Sequence, residues 1–237
     1  MSCILHIETS TDVCSVALSE DGRCLWSDKE RGGRSHATCL GGFVGKALAF
    51  ADERGIAPDA VAVSSGPGSY TGLRIGVSMA KGVCYGRHVP LIAVPTLEIM
   101  AVPLLLGDRI AEGELLCPMI DARRMEVYAA VYDRSLTVVR PVGADIVTAT
   151  TYERYLDRGT VTFFGNGAAK CRDVIRHPNA RFVDGVEPLA RWMMPIAERR
   201  MAQGLYEDTA YFVPFYLKAF VATKARDPLG RSPFAPS

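Results

Sequence analysis

The sequence predicts an α/β protein built as two strand-rich lobes. Three observations predict this class. The N-terminus carries β-rich runs joined by tight polar turns, a glycine-rich loop joins an apolar strand to a helix, and a second group of strands follows residue 113. The predicted boundary falls within 103–113, so the expected lobes are residues 1–105 and 106–237.

The first lobe is predicted to open with a hairpin meander. Residues 3–9 and 13–18 are β-rich runs separated by Ser10-Thr11-Asp12, and a turn at Glu20-Asp21-Gly22 leads into a third run. Antiparallel pairing is therefore expected. The remaining predicted elements of this lobe are a helix from 36 to about 53, a strand at 60–64, a helix from about 73 to 85, a strand at 91–94 and a helix starting near 96.

The second lobe is predicted from a weaker pattern. Strands at 115–120 and 126–132 flank a turn, and a strand at 160–164 runs into Gly165-Asn166-Gly167. A helix is predicted near 168–176, and a long helical pattern covers 188–203. We treat this last helix as a candidate to pack back onto the first lobe.

The composition is that of an ordinary globular protein. Hydrophobic residues make up 49% and charged residues 22% of the chain. There are 27 Lys and Arg against 26 Asp and Glu, a formal net charge of +1. Binding to nucleic acid through its phosphates usually needs a basic excess. If RNA is involved, we therefore expect another protein to supply most of the contact.

The cysteine positions indicate a reducing compartment. The chain has 7 cysteines, an odd number, and no CxxC pair, which argues against a disulfide framework and a zinc ribbon. The N-terminus lacks a basic n-region, and the apolar run 99–106 contains Pro103 and is far shorter than the ~20 residues of a membrane span. We expect a cytoplasmic protein with no membrane contact.

The most informative motif is SSGPGSYTGLRIG at 64–76. Four glycines and a proline in this span indicate unusual backbone dihedrals or a close approach of backbones. A loop that leaves a strand and enters a helix can direct amides at an anion. However, no Gly-Lys-Ser/Thr follows, and Ser69 lacks the flanking glycines of a nucleophile elbow. A structural tight turn and a ligand loop both remain open.

Small residues recur every four positions on two predicted helices. They are Gly72, Gly76 and Ala80 on one helix and Gly41 and Gly45 on the other. Glycine inside a helix costs about 1 kcal/mol relative to alanine, so these glycines need a compensating role. One interpretation is close packing of the two helices against each other in the core. The other is a docking face for a second protein.

Polar residues at two predicted turns are candidate ligand groups. Glu8, Thr9, Ser10 and Asp12 surround the first hairpin turn, where they could orient a metal or phosphate or could serve the turn alone. Asp121 with Arg123 forms either a ligand clamp or an ion-paired corner. His36 stands at a helix start and is interpreted as a capping or surface residue. Since no HxxxH or HExxH spacing exists, no histidine metal site is expected.

Four segments in the right order resemble the TsaB (YeaZ) family. They are ILHIETSTDVCSVAL at 4–18, SSGPGSYTGLRIGVSMAKGV at 64–83, IDARRMEVYAA at 120–130 and VPFYLKAFVATK at 213–224. The resemblance implies an actin/Hsp70/sugar-kinase-like fold (ASKHA, ribonuclease H-like) of two lobes. It also implies kinship with TsaD, the catalytic subunit of the machinery that makes threonylcarbamoyladenosine in tRNA. Glu8 stands where the family often has Asp, and Lys218 where Arg is common.

The resemblance also implies that this chain is not an enzyme. TsaD holds a metal through two histidines on a helix, in a segment resembling V-N-H-L-E-G-H. This chain reads VPTLEIM at 94–100, which puts Thr96 and Met100 at the histidine positions. A hydroxyl and a thioether cannot act as imidazole ligands, and a thioether suits a hard cation poorly. No catalytic residue, metal or cofactor is therefore expected.

The expected role is that of a scaffold subunit that binds TsaD and, through it, the ATPase TsaE, with tRNA contacted only indirectly. The same faces are expected to form a homodimer when the partner is missing. The expected docking helices carry His36, Gly41, Gly45, Gly72, Arg74, Gly76 and Ala80. The expected loop and residual nucleotide site comprises Glu8, Thr9, Ser10, Gly66, Gly68, Ser69, Thr71, Asp121 and Arg123. The alternative is a small ASKHA-fold phosphotransferase or a metal-dependent M22-like peptidase.

Overall fold

The first lobe of the computed structural model, which describes residues 2–32 and 36–218, is built on a mixed sheet. Its strands are β1 (Cys3–Glu8), β2 (Val13–Glu20), β3 (Arg23–Arg31), β4 (Ala60–Gly66) and β5 (Leu91–Pro95). They stand in the order β3-β2-β1-β4-β5. The first three strands are antiparallel neighbours, which confirms the predicted meander, whereas β1, β4 and β5 run parallel.

The second lobe repeats this topology. Its strands are β6 (Leu115–Asp121), β7 (Glu126–Tyr132), β8 (Val138–Ile146), β9 (Val161–Phe164) and β10 (Ala180–Val183), in the order β10-β9-β6-β7-β8. Again the first strand of the lobe is central, with antiparallel strands on one side and parallel strands on the other. Of these strands, β8 and β10 were not predicted. β8 carries Arg140, Pro141 and Gly143, which interrupt the alternation that marks a strand.

Five α-helices cover the sheets in the described part of the chain: α1 (His36–Asp52), α2 (Tyr70–Arg87), α3 (Thr96–Leu106), α4 (Glu153–Leu156) and α5 (Met194–Ala202). Helices α1 and α2 share a core with one face of the first sheet, and α3 and α5 share a core with its other face. None of these helices combines the length and apolar character needed to cross a membrane.

Two predicted helices are wrong in extent. The helix predicted near 168–176 is only a single 3-10 turn, Ala169–Cys171, because the chain must return to start β10 and Pro178 cannot continue a helix. The pattern at 188–203 is a 3-10 turn, Ala190–Met193, followed by α5. Pro195 lacks an N–H group and is therefore accommodated in the first turn of α5. Helix α5 packs on β1 and β5 of the first lobe.

The row of small residues on α2, Gly72, Gly76 and Ala80, faces the inside of the lobe, where its glycines pack against the turn between β1 and β2. A Cβ at Gly72 would overlap the carbonyl oxygen of Thr9, and a Cβ at Gly76 would overlap Thr9 Oγ1. Thr9 Oγ1 in turn donates to the carbonyl oxygen of Gly72 at 2.8 Å. Gly72, Gly76 and Ala80 are all buried. Their assignment to an exposed docking face is therefore wrong, because they permit close packing inside the lobe.

The buried face and the exposed face of this helix each supply one member of a matched pair of variants. We predict that Gly72→Ala destabilises the protein by about 1–3 kcal/mol, because its methyl group would overlap backbone that cannot move away. Gly82→Ala, whose Cβ would meet no atom within 4 Å, should instead stabilise the protein by about 1 kcal/mol through helix propensity.

Urea unfolding followed by circular dichroism measures both free energies of unfolding. If the alanine at position 72 is tolerated as well as the one at position 82, the packing of α2 on Thr9 described above is incorrect.

Candidate functional site

The turn after β1 is held by a buried carboxylate. Glu8 is fully buried, and its Oε1 accepts a hydrogen bond from the Ser10 N–H at 2.5 Å. Burial raises the pKa of Glu8 to about 7, while hydrogen bonds from Ser10 oppose the rise. This carboxyl group therefore titrates near neutral pH and positions the turn. It does not line the cleft described below.

The glycine-rich loop packs on this turn. The Ser69 N–H donates to the carbonyl oxygen of Ser10 at 2.7 Å, and a Cβ at Gly68 would overlap that same oxygen. Ser69 then caps α2 by accepting a hydrogen bond from the Gly72 N–H at 3.2 Å on its Oγ. Because Ser69 begins the capping, α2 starts at Tyr70, earlier than the periodicity of its apolar residues predicted.

The loop between β6 and β7 forms the facing wall. Asp121 Oδ1 accepts the Arg123 N–H at 2.9 Å and also the ammonium group of Lys170. Lys170 Nζ donates further to the carbonyl oxygens of Arg124 and Glu126, each at 2.7 Å. Asp121 is therefore ion-paired with Lys170 and not with Arg123 as predicted, since Arg123 contributes only its backbone N–H to this corner. Arg123 has a φ of +73° and an exposed side chain.

A cleft of about 510 Å³ separates these two walls. The predicted loop residues that line it are Ser10, Gly68, Ser69, Thr71, Asp121 and Arg123. Glu8, Thr9 and Gly66 do not line it: Glu8 and Thr9 are buried beneath the turn, and Gly66 packs against the carbonyl oxygen of Phe215. Sequence reasoning did not assign eight other lining residues to the site: Thr11, Tyr70, Ile120, Ala122, Tyr128, Tyr216, Leu217 and Lys218. Asn166 had been noted only as a turn residue.

A C-terminal segment, residues 205–218, crosses from the first lobe to the second beside the cleft. The Phe215 N–H donates to the carbonyl oxygen of Ser65 at 2.7 Å. The Tyr216 ring lies 4.6 Å from the Tyr70 ring, centroid to centroid, and Lys218 Nζ bonds Glu126 Oε2 at 2.5 Å. No local sequence pattern indicates these contacts, because the partners are far apart along the chain.

The cleft offers groups that suit an anion. The N-terminus of α2, an 18-residue helix, opens on it at Ser69. The cationic side chains of Arg123 and Lys218 lie along its rim, although Lys218 is paired with Glu126. Asp12 and Asp121 also line it and balance these two positive charges. The N-terminus of α2 is therefore the feature of the cleft that favours a phosphate-bearing or carboxylate-bearing ligand.

The outer face of α1 and α2 is a second candidate site. Gly41, Gly45 and Arg74 of the predicted docking set are exposed there. His36 is buried instead, with Nε2 2.8 Å from the carbonyl oxygen of Thr11, so its assignment to a docking or surface position is wrong. Its ring fixes the start of α1 to the β1–β2 turn.

A groove of about 490 Å³ lies on this face, along α2 and next to the first turn of α1. Its lining consists of Ala37, Arg74, Ile75, Ser78, Met79 and Gly82. Arg74, Ser78 and Gly82 follow one another at four-residue spacing. This is the same spacing as that of the buried residues Gly72, Gly76 and Ala80. Apart from Arg74, the residues of α2 that were predicted for docking belong to the buried row and not to this exposed one.

The pKa of Glu8 generates a pH-dependent prediction. A carboxyl group with a raised pKa favours the fold while it is protonated, and this contribution is lost as pH rises through about 7. Glu8→Gln retains an acceptor oxygen for Ser10 but carries no charge. We predict little difference in stability from the parent protein near about pH 5, and a stabilisation on the order of 3 kcal/mol near about pH 8.5.

Thermal or urea unfolding at both pH values measures the difference. Glu112→Gln, at an exposed position, is the matched control. Its stability relative to the parent protein should be the same at both pH values. A Glu8→Gln variant whose stability relative to the parent is the same at both pH values would contradict the raised pKa.

Comparison with known proteins gives consistent results. A family model described as "TsaD: tRNA N6-adenosine threonylcarbamoyltransferase" matches residues 29–225. The Escherichia coli (strain K12) protein named tRNA threonylcarbamoyladenosine biosynthesis protein TsaB is 32% identical over 227 residues, covering 93% of this chain and 96% of that protein. The tRNA N6-adenosine threonylcarbamoyltransferase of Geobacter sulfurreducens is 31% identical over 124 residues, covering 46% of this chain and 36% of the transferase.

The fold has a close counterpart among solved structures. The crystal structure of a Pseudomonas aeruginosa protein with similarity to the peptidase YeaZ has a TM-score of 0.79 at 28% identity, covering 92% of this chain and 100% of that chain. The repeated sheet order and this similarity confirm the predicted actin/Hsp70/sugar-kinase-like fold (ASKHA, ribonuclease H-like). On sequence and fold together, the chain belongs to the TsaB (YeaZ) family.

Proposed function

We propose that this chain is a non-catalytic scaffold subunit in the biosynthesis of threonylcarbamoyladenosine in tRNA. In this role it binds the catalytic subunit TsaD and, through TsaD, the ATPase TsaE. TsaD transfers the threonylcarbamoyl group to the adenosine next to the anticodon. The names of the relatives support the pathway, since the E. coli protein is a tRNA threonylcarbamoyladenosine biosynthesis protein.

The residues at the histidine positions of TsaD support a non-catalytic role. Thr96 and Met100 are both fully buried, and neither carries an imidazole. Within residues 2–32 and 36–218, no three His, Cys, Asp or Glu side chains come together as a metal-binding group. The side chains in this described part of the chain therefore offer no centre for metal-assisted transfer.

The groove on the outer face of α1 and α2 is the observation that carries the docking proposal. Gly45 and Gly82 are exposed, and a Cβ at either position would meet no atom within 4 Å. Their bare backbone lets a partner helix approach closely, and Ile75 and Met79 supply apolar surface in the groove that Gly82 also lines. Arg74 at the same groove can bind a carboxylate of the partner. The docking residues we propose are therefore Gly41, Gly45, Arg74, Ser78 and Gly82.

The remaining partners follow from the same arrangement. A second copy of the chain would occupy this face when TsaD is absent, because both partners need the same exposed small residues. The near-neutral charge supports indirect contact with tRNA: a formal net charge of +1 gives this chain little attraction for phosphate by itself.

Gly45→Leu tests the docking face. A Cβ at this exposed position would meet no atom within 4 Å, so we predict an unchanged fold and a loss of TsaD binding of about tenfold or more. Pull-down or titration of the partner TsaD from the same organism gives the affinity. Gly76→Leu is unsuitable for this purpose, because position 76 is buried against Thr9 and the variant would misfold.

A leucine in the second lobe provides the control. Gly159 has open space around its Cβ position and lies away from α1 and α2, so Gly159→Leu should bind TsaD normally. Undiminished binding by Gly45→Leu, with circular dichroism unchanged, would refute the proposed face.

The rival function is a phosphotransferase or M22-like peptidase that uses the cleft. The opening of the α2 N-terminus onto a cleft with Arg123 on its rim favours a bound anion. Anion binding alone does not require catalysis, and a nucleotide could occupy the cleft of a scaffold subunit.

We predict that the isolated chain shows no ATP hydrolysis above background with added magnesium or zinc, and no proteolysis, because its side chains offer no metal-binding cluster in the described residues. Phosphate release and peptide cleavage are the measurements. Turnover that disappears in Asp12→Ala or Glu8→Ala would favour the rival enzyme.

A further inference from the structure

A second groove between the lobes, of about 350 Å³, lies beside the glycine-rich loop. Gly66, Pro67 and Pro95 form the side from the first lobe, Tyr132 and Val138 form the side from the second lobe, and Phe215 of the C-terminal segment completes it. This volume is in the range of sites that hold a small ligand or one or two side chains of a bound segment.

The apolar surface extends beyond the groove itself. Val138 is 53% exposed, Phe215 45% and Val139 41%. Exposed apolar side chains that adjoin a groove mark an interaction site more strongly than isolated ones do. A small molecule in the groove would leave Val139 and the outer parts of Val138 and Phe215 uncovered. A segment of protein chain would cover the groove and these side chains together.

The neighbouring strand favours recognition through side chains. β8 is the last strand of its sheet in the described part of the chain, so one edge of it has no strand partner there. Pro141 interrupts that strand and has no N–H to donate, which hinders the addition of another strand along this edge.

One charged side chain lines the groove among the described residues. Glu98 is half-buried in the first turn of α3, and no cation of residues 2–32 and 36–218 lies within ion-pairing distance of it. Burial raises the pKa of Glu98, and the attraction of Arg200 and Arg199 only opposes that rise from a distance. A half-buried carboxylate without a cation loses hydration that a cationic ligand would replace.

We propose that this groove binds a segment of a partner protein in which a lysine or arginine is flanked by apolar side chains. The apolar neighbours would cover Val138 and Phe215, and the cation would pair with Glu98. A nucleic acid or an acidic peptide does not fit, since its negative charges would face the Glu98 carboxylate. The site is separate from the α1–α2 face, so this proposal does not rest on the proposed function.

Acetylated tripeptide amides are suitable probes: Phe-Lys-Leu, with Phe-Gln-Leu and Phe-Glu-Leu as matched sequences. We expect Phe-Lys-Leu to shift the amide resonances of Leu97, Glu98 and Val138 in the isotope-labelled full chain, with saturation. The glutamine peptide should bind about fivefold more weakly and the glutamate peptide more weakly still, as a partly buried ion pair implies.

Two variants separate the charge from the apolar surface. Glu98→Gln should abolish the preference for lysine, while the control Glu112→Gln, exposed on a loop, should keep it. Val138→Ser should weaken the binding of all the peptides. The proposal is overturned if no groove amide shifts, if the lysine and glutamate peptides bind equally, or if Glu98→Gln retains the preference.

Discussion

The contact between the β1–β2 turn and the start of α2 positions both candidate sites. Thr9 fits against Gly72 and Gly76, and the carbonyl oxygen of Ser10 accepts the Ser69 N–H. This packing brings the backbone of the helix onto the backbone of the turn, which a larger side chain on the helix would prevent. The turn thereby forms one wall of the cleft. The buried Glu8 stabilises the turn by accepting a hydrogen bond from the Ser10 N–H.

This arrangement gives the two faces of α2 different roles. The inner face is fixed by its small residues against Thr9, so it cannot move outward without exposing apolar surface. The outer face, with Ser78 and Gly82, is left with open space above its backbone. A partner bound to the outer face would therefore rest on a helix whose N-terminus also borders the cleft. The structure thus links the proposed docking surface to the cleft through one rigid element.

The sequence was sufficient for features that depend on local chemistry. Tight polar turns predicted the meander, and the glycines of the 64–76 motif predicted a close approach of backbones. It was insufficient where two faces carry the same spacing: Gly72, Gly76 and Ala80 lie inside, whereas Arg74, Ser78 and Gly82 lie outside. The four-residue spacing shows which residues share a face of the helix, but not whether that face is buried or exposed. Contacts such as Lys218 with Glu126 could not be predicted, because they depend on how distant segments fold together.

Helix α3 connects the cores of the two lobes. Ile99 and Val102 pack into the core shared with β1, β4 and β5, whereas Leu97, Met100 and Leu104 pack into the core shared with β6 and β7. A helix whose opposite faces are buried in two different cores is stable only while both of its neighbours are folded. Loss of either lobe would expose half of α3 to water. The two halves of the molecule should therefore melt together in a single cooperative transition, although each has its own sheet.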